Sequence, residues 1–142
     1  MYSFVFVTHG KLGEALIHTA EFIMKQDMTE RAKVFSVDYS MLSDMNKLQE
    51  EISLTVDAML AKNHKVVVFV DLFGGSPSNL AFTLAKKENV DIISGANLPM
   101  VIQTFEKMDS DQDITEFISS VVQCGSESIV SAKKLLLARE KK

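Results

Sequence analysis

The chain has 142 residues, 46% of them hydrophobic, and a formal net charge of −4. It is therefore long enough to bury a core, and it carries no basic field that would attract nucleic acid or anionic lipid. Its single cysteine cannot form an internal disulfide, and no Cys or His spacing is typical of a zinc site. We expect a cytosolic protein that uses no metal or cofactor and binds no nucleic acid.

Short β-branched or aromatic runs alternate with helical patterns, which predicts βαβ units around a parallel sheet. The predicted strands are 2–8, 33–38, 65–71 and 90–94. The predicted helices are 12–24, 45–60, 79–87, 98–108 and 113–123, the last of them ended by Gly125. No linker or repeat divides the chain, so one domain over 1–142 is expected. No apolar run approaches the roughly 20 residues that span a bilayer.

The tail after Gly125 is compatible with two structures. Residues 129–132 could form a short edge strand, or the whole tail could form a last helix. The first strand, by contrast, has no preceding basic region and no cleavage site, so it is not a signal peptide.

The runs FVFV and VVVFV are typical of central strands that helices cover on both faces. With strand order 2-1-3-4, a doubly wound α/β fold, strands 1 and 3 are neighbours, and ligands bind in the crevice at their carboxyl ends. Strand 1 ends at His9 and strand 3 ends at Asp71. The sequence therefore predicts that these two side chains face each other.

A histidine beside a carboxylate has a definite chemistry. If Asp71 accepts the N–H of one ring nitrogen, the other nitrogen keeps a free lone pair that can attack an electrophile. The carboxylate also stabilises the positive charge that develops on the ring. His9 is therefore a candidate nucleophile, and Asp71 is the candidate residue that orients it.

The sequence GGSP after Asp71 predicts a cradle for an anion. Gly74 and Gly75 permit close backbone approach, Ser76 is a favourable N-cap, and Pro77 suits the first helical position. Free N–H groups at such a helix start favour an anion. The segment SGANLPM, after strand 4, predicts a second helix start at the same edge.

Each feature has an ordinary explanation when it is taken alone. A lone histidine at a strand end is more often an ordinary polar residue without a catalytic role, and aspartate is common as a turn cap. The GGSP segment is also an ordinary way to leave a strand and begin a helix. His18 and His64 are expected at the surface, and Cys124 is expected to be an unreactive thiol.

Three motifs in order, VTHG, VDLFGGSPSNLA and SGANLPM, resemble the IIA domain of the mannose-type phosphoenolpyruvate-dependent sugar phosphotransferase system. The resemblance covers nearly the whole chain. It implies that His9 accepts phosphoryl from the phosphocarrier HPr and passes it to the IIB component, with Asp71 as its hydrogen-bonding partner. It also implies a phosphoryl site lined by Thr8, Gly10, Phe73, Gly74, Gly75 and Ser76.

The same resemblance implies a homodimer that exchanges a C-terminal antiparallel strand, here 129–132. It further implies an indirect link to the membrane IIC and IID components, so that the protein is cytoplasmic or peripheral at the inner face of the membrane. No IIB domain or alanine-proline-rich linker follows Lys142, so we expect a separate polypeptide.

Three other functions are weighed against the same residues. A response-regulator receiver needs an acidic pair at the end of strand 1 to hold magnesium, where this chain has Thr8 and His9. A nucleotide or flavin binder needs a longer phosphate loop than the segment 10–13. The phosphocarrier subunit of a dihydroxyacetone kinase would use the same histidine, but GGSP and NLPM favour sugar transport. The transported sugar is not encoded here, because a IIA component handles only phosphoryl groups.

Overall fold

A four-stranded parallel sheet forms the centre of the fold in the computed structural model, which describes residues 1–38 and 44–140. The strands are β1 (Tyr2–His9), β2 (Ala32–Val37), β3 (Lys65–Val70) and β4 (Val90–Ser94). Their order is β2-β1-β3-β4, and every neighbouring pair is parallel. The predicted doubly wound order is therefore confirmed.

Six helices accompany the described strands. They are α1 (Leu12–Met24), α2 (Met45–Leu60), α3 (Ser76–Phe82), α4 (Leu98–Glu106), α5 (Ile114–Glu127) and α6 (Ala132–Glu140). The first two have the predicted bounds, but the third begins at Ser76 and passes into a 3-10 turn at Thr83–Lys86. The third helix therefore starts three residues earlier than 79, because Ser76, Pro77 and Ser78 already have helical backbone after the N-cap Gly75.

The prediction that Gly125 ends a helix is wrong. Gly125 lies inside α5 and is buried, and a methyl group placed on it would overlap the side chain of Met100 in α4. The glycine is needed for close packing of two helices, not for helix termination.

The tail forms a helix and not a strand over most of its length. Residues 129–131 lie in neither helix nor strand, and α6 (Ala132–Glu140) has no buried residue. No strand follows β4 in the described part of the chain. Strand exchange between two subunits stays a prediction, since one chain does not address it.

The sheet is covered on both faces, as predicted, because successive side chains of a strand point to opposite sides. Phe4 and Phe6 of β1 pack in a cluster with α1, α4 and α5. Val5 and Val7 pack in a second cluster with α2 and α3. The carboxyl edge between these two layers is left open to solvent by the fold.

Tyr2 fixes α5 against the first of these layers. Its ring stacks on Phe117 with 3.8 Å between centroids, and its hydroxyl donates to the Gln112 carbonyl at 2.6 Å. Burial, followed by the nearby carboxylates of Asp113 and Glu116, raises the pKa of Tyr2 to about 12. The phenol therefore stays protonated and keeps its hydrogen bond at physiological pH.

The two histidines expected at the surface differ from each other. His18 is exposed on α1, as predicted. His64 is only partly exposed, and its Nδ1 shares a hydrogen bond of 2.7 Å with the buried Ser3 hydroxyl. Burial lowers the pKa of His64, and the positive charges of Arg31, the N-terminus and Lys62 lower it further, against the opposing effect of Asp109.

Among the described residues, no helix is both long enough and apolar enough to cross a membrane.

Two buried glycines generate a prediction about stability. A methyl group on Gly13 would lie 2.8 Å from Val34 Cγ2 and 2.9 Å from Thr8 Oγ1, which are short branched side chains with little freedom. We expect Gly13→Ala to lower the free energy of unfolding by about 1–3 kcal/mol, as overpacking does. Urea denaturation measures this loss.

Gly125→Ala repeats the test between α4 and α5. Its new methyl group would overlap Cγ of the buried Met100, so this variant should also lower the free energy of unfolding. Wild-type stability in Gly13→Ala would contradict the close packing described for α1.

Candidate active site at the carboxyl edge of the sheet

His9 and Asp71 meet at the carboxyl ends of the two central strands. Val7 of β1 pairs with Val70 of β3, which brings the ends of both strands to the same level. His9 Nδ1 and Asp71 Oδ2 are 2.9 Å apart. The structure thus brings together the histidine and the acid on which the sequence analysis depends.

The carboxylate of Asp71 is held by three contacts. Oδ2 accepts the backbone N–H of His9 at 3.0 Å as well as the ring contact, and Oδ1 accepts the N–H of Leu72 at 3.0 Å. Burial acts to raise the pKa of Asp71, but the hydrogen bonds from His9, the charge of its ring and the Leu72 N–H outweigh burial and lower the pKa. Asp71 is therefore ionised at neutral pH.

An ionised carboxylate accepts hydrogen bonds and donates none. The Nδ1 of His9 must therefore carry the proton in their shared bond, which leaves the lone pair of the neutral ring on Nε2. The His9 side chain is 49% exposed, whereas that of Asp71 is 8% exposed. The unprotonated nitrogen, Nε2, therefore belongs to an accessible ring that a buried acid holds in place.

Gly75 leaves space beside this nitrogen. A methyl group on Gly75 would lie 3.0 Å from His9 Cε1 and 3.5 Å from Nε2, so the bare backbone borders the ring on that side. The preceding residue, Gly74, has φ +89°, a backbone conformation that residues with a side chain rarely adopt. We call Gly74 and Gly75, which carry no side chains, the glycine wall, and Gly75 is the member that borders Nε2.

Thr8 and Gly10 flank His9 and have roles in the local fold. Thr8 is fully buried, and its Oγ1 accepts the Gly13 N–H at 2.8 Å. Gly10 has φ +52° and donates its N–H to the Val37 carbonyl at 2.9 Å. The Thr8 hydroxyl is thus engaged at the start of α1 and lies away from solvent.

The start of α3 differs in detail from its prediction. The N-cap is Gly75, with no side-chain cap, and Ser76 is already the first helical residue, so the prediction of Ser76 as N-cap is wrong. Pro77 is the second helical residue, one position later than predicted, and is buried. Ser76 is partly buried beside the glycine wall.

The second predicted helix start is capped by its own sequence. Asn97 Oδ1 accepts the Met100 N–H at 3.1 Å, and Asn97 Nδ2 donates to the Gly125 carbonyl at 3.3 Å. The Met100 N–H at the start of α4 is therefore already hydrogen-bonded. Asn97, in the SGANLPM segment, also holds α4 against α5.

Three exposed apolar side chains lie in the segment after Asp71 and at the end of α3. Phe73 is 75% exposed and Leu72 is 51% exposed. The Phe73 ring lies 5.4 Å from that of Phe82, which is also exposed. We call Leu72, Phe73 and Phe82 the apolar rim.

Sequence reasoning missed Ser78. It is fully buried in α3 and makes two hydrogen bonds to the glycine turn. Ser78 lies within the motif VDLFGGSPSNLA, but no role was predicted for it, and its place three and four residues after the two glycines is the signal that could have indicated one. In the described residues, no group of three or more His, Cys, Asp or Glu is placed to hold a metal ion.

The fold and this site define a doubly wound α/β protein with an exposed histidine, held by a buried acid, at the sheet crevice. The family model described as "PTS system fructose IIA component" matches residues 3–122. The chain belongs to this family, the EIIA-man family of the phosphotransferase system. The recognised resemblance is thereby confirmed.

Individual relatives agree with the family match. The chain is 31% identical over 127 residues, 89% of its length, to the mannose-specific EIIAB component of Escherichia coli, and it spans 38% of that relative's length. It is 27% identical over 104 residues to the fructose-specific EIIA component of Bacillus subtilis, covering 72% of this chain and 68% of the relative.

A solved structure has the same fold. It is a PTS IIA protein associated with the fucose utilization operon from Streptococcus pneumoniae, with a TM-score of 0.79, 23% identity, and coverage of 95% of this chain and 96% of that one.

The contact between His9 and Asp71 generates a prediction about the tautomer of the ring. In the wild type at a pH where the ring is neutral, we expect Nδ1 to be protonated and Nε2 unprotonated. Asp71→Ala removes the acceptor, so the ring should return toward the tautomer mixture of a free imidazole. Two-bond ¹H–¹⁵N correlation spectra of the imidazole measure this change.

Asp91→Ala is the control, because Asp91 also accepts a neighbouring N–H, that of Ile92, but lies in the middle of β4. It should leave the His9 tautomer unchanged. A wild-type ring protonated at Nε2 would contradict the hydrogen-bond assignment.

Proposed function

We propose that this protein is a phosphohistidine carrier of the phosphoenolpyruvate-dependent sugar phosphotransferase system. His9 accepts phosphoryl from phospho-HPr and donates it to a IIB component. The proposal depends above all on one observation, the 2.9 Å contact between His9 Nδ1 and Asp71, because it leaves the exposed Nε2 as the nucleophile. Membership of the IIA family supports it.

In the first transfer, the Nε2 lone pair attacks the phosphorus of the phosphohistidine on HPr. A new N–P bond forms at His9 while the N–P bond of the donor breaks, and the electron pair of the broken bond stays on the donor imidazole. The Nδ1 proton of His9 is retained. The ring then carries positive charge, which the adjacent Asp71 carboxylate stabilises.

In the second transfer, a nucleophile on the IIB component attacks the same phosphorus. The N–P bond at His9 breaks, and its electrons return to Nε2, which restores the neutral ring with its proton on Nδ1. Asp71 orients the His9 ring during both transfers and does not itself carry a phosphoryl group.

The glycine wall gives the transferred group its place. Gly74, Gly75 and Ser76 line the space beside Nε2, where a side chain on Gly75 would lie within 3.5 Å of the nitrogen. Thr8 and Gly10 hold the backbone on either side of His9, and Phe73, two residues after Asp71, completes the proposed phosphoryl-binding set. These are the roles proposed for the predicted phosphoryl-binding residues.

The exposed surroundings of His9 suit a site that exchanges phosphoryl between proteins. The apolar rim gives a carrier protein surface to bury beside the reacting ring. We therefore assign HPr and IIB to this face, with the membrane IIC and IID components reached through IIB. This places the single IIA domain in the cytoplasm, or peripherally at the inner face of the membrane.

The phosphocarrier subunit of a dihydroxyacetone kinase remains the alternative, because it would use the same histidine. The relatives found are named as mannose-specific and fructose-specific components, which favours sugar transport. A chain that passes phosphoryl to a dihydroxyacetone kinase and to no IIB component would reverse this preference. A binding module without catalysis would accept no phosphoryl at all.

Incubation with phosphoenolpyruvate, enzyme I and HPr should add one phosphoryl group to the protein. The added mass should be labile in acid and stable in base, as phosphoimidazoles are. His9→Ala should abolish the gain, because it removes the only nucleophile that the proposal uses. Intact-protein mass spectrometry measures the result.

His18→Ala and His64→Ala are the controls, and both should still gain the phosphoryl group. Asp71→Asn should accept it more slowly, by about 10²-fold or more, because an amide cannot stabilise the ring charge. Phosphorylation of the His9→Ala variant would contradict the assignment of His9 as the phosphoacceptor.

We further propose that the protein is a homodimer in which 129–132 pairs with the sheet of the partner subunit. The tail supports this, because Ile129 is 80% exposed, Val130 is 58% exposed, and α6 buries none of its residues. Such exposed apolar residues are typical of an interface, and strand exchange is a recognised route to symmetric dimers.

Sedimentation velocity tests the assembly. The full chain should be a dimer, and a chain ending at Ser128 should be a monomer or an aggregate, because the exchanged segment is gone. Removal of 138–142 is the control and should leave the dimer intact. A full-length monomer would refute the exchange without affecting phosphoryl transfer.

A further inference from the structure

Ser78 ties the glycine turn together from inside the fold. Its side chain is fully buried in the first turns of α3. The hydroxyl accepts the Gly74 N–H at 2.9 Å and donates to the Gly75 carbonyl at 3.0 Å. One oxygen atom thus holds both the entrance and the exit of the two-glycine segment.

This contact restrains the part of the backbone that has the greatest freedom. Glycine populates positive and negative φ about equally and loses more conformational entropy on folding than any other residue. Gly74 has φ +89° and is exposed, so the other described contacts do little to restrain it. A buried hydroxyl that bonds to both glycines selects a single conformation of the turn.

The restrained turn is the wall beside the reacting nitrogen. Gly75 borders the His9 ring so closely that a methyl group on it would be 3.0 Å from Cε1. Any shift of the turn therefore changes the space next to Nε2 directly. Ser78 itself contacts the turn and not the ring.

We propose that Ser78 is a positioning residue for the phosphoryl transfer assigned above, and the inference rests on that proposed function. Its hydroxyl holds Gly74 and Gly75 at the distance from His9 Nε2 that admits the transferred group. A misplacement of about 1 Å in such a site can cost on the order of 10²-fold in rate.

Ser78→Ala tests this role. Alanine is smaller than serine and favours a helix more, so the fold should be retained. The kcat for acceptance of phosphoryl from phospho-HPr should fall by at least about tenfold. The KM for phospho-HPr should not change, because the carrier docks on the apolar rim and not on Ser78.

Thr104→Val is the matched control. Thr104 is also fully buried in a helix, and its hydroxyl donates to the Met100 and Val101 carbonyls, but it lies in α4 away from the glycine turn. The Thr104→Val variant should be less stable than the wild type and should keep the wild-type kcat. If Ser78→Ala keeps the wild-type kcat, or if both variants lose kcat alike, the positioning role is overturned.

Amide hydrogen exchange separates this proposal from the proposed function. Ser78→Ala should speed exchange at Gly74 and shift the His9 Hε1 resonance, whereas Thr104→Val should do neither. A wild-type chain that accepts no phosphoryl overturns the proposed function by itself. Unchanged Gly74 exchange and an unchanged His9 resonance in Ser78→Ala overturn the positioning of the turn, whatever the transfer assay gives.

Discussion

The hydrogen bond between His9 Nδ1 and Asp71 Oδ2 is the interaction on which the site depends. It joins the ends of the two central strands, and it decides which ring nitrogen is free. Because the same carboxylate also accepts the backbone N–H groups of His9 and Leu72, its position is set by the main chain. The carboxylate in turn fixes the position of the His9 ring. About half of the surface of this side chain stays exposed and accessible to another protein.

Two other side chains, Thr8 and Ser78, restrain the backbone on either side of the His9–Asp71 pair. From the β1 side, the Thr8 hydroxyl bonds to the Gly13 N–H, which ties the turn after His9 to the start of α1. From the β3 side, the Ser78 hydroxyl bonds across Gly74 and Gly75. Both hydroxyls are buried, and both restrain backbone next to the exposed ring. The His9 ring therefore lies between two segments of backbone that buried hydroxyl groups hold in place.

Much of the fold could be predicted from the sequence, because hydrophobic periodicity and strand-end residues are local signals. The four strands lie within one residue of their predicted bounds at each end, and His9 and Asp71 are indeed neighbours. The errors arose where a residue acts through distant contacts. Gly125 looks like a helix terminator locally, yet it lies inside α5, where the side chain of Met100 in α4 leaves no room for a methyl group. Ser76 looks like an N-cap, yet the turn places Gly75 there.

The sequence by itself determined the strand order, the family and the pair of residues at the crevice, because apolar runs, motif order and strand ends are encoded by nearby residues. Only the tertiary structure decided which nitrogen of His9 is bonded, how close Gly75 lies to the ring, and that Ser78 holds the glycine turn. These depend on distances between atoms of different strands and helices. Such distances are set by the packing of the two layers on the sheet, and no local pattern specifies them.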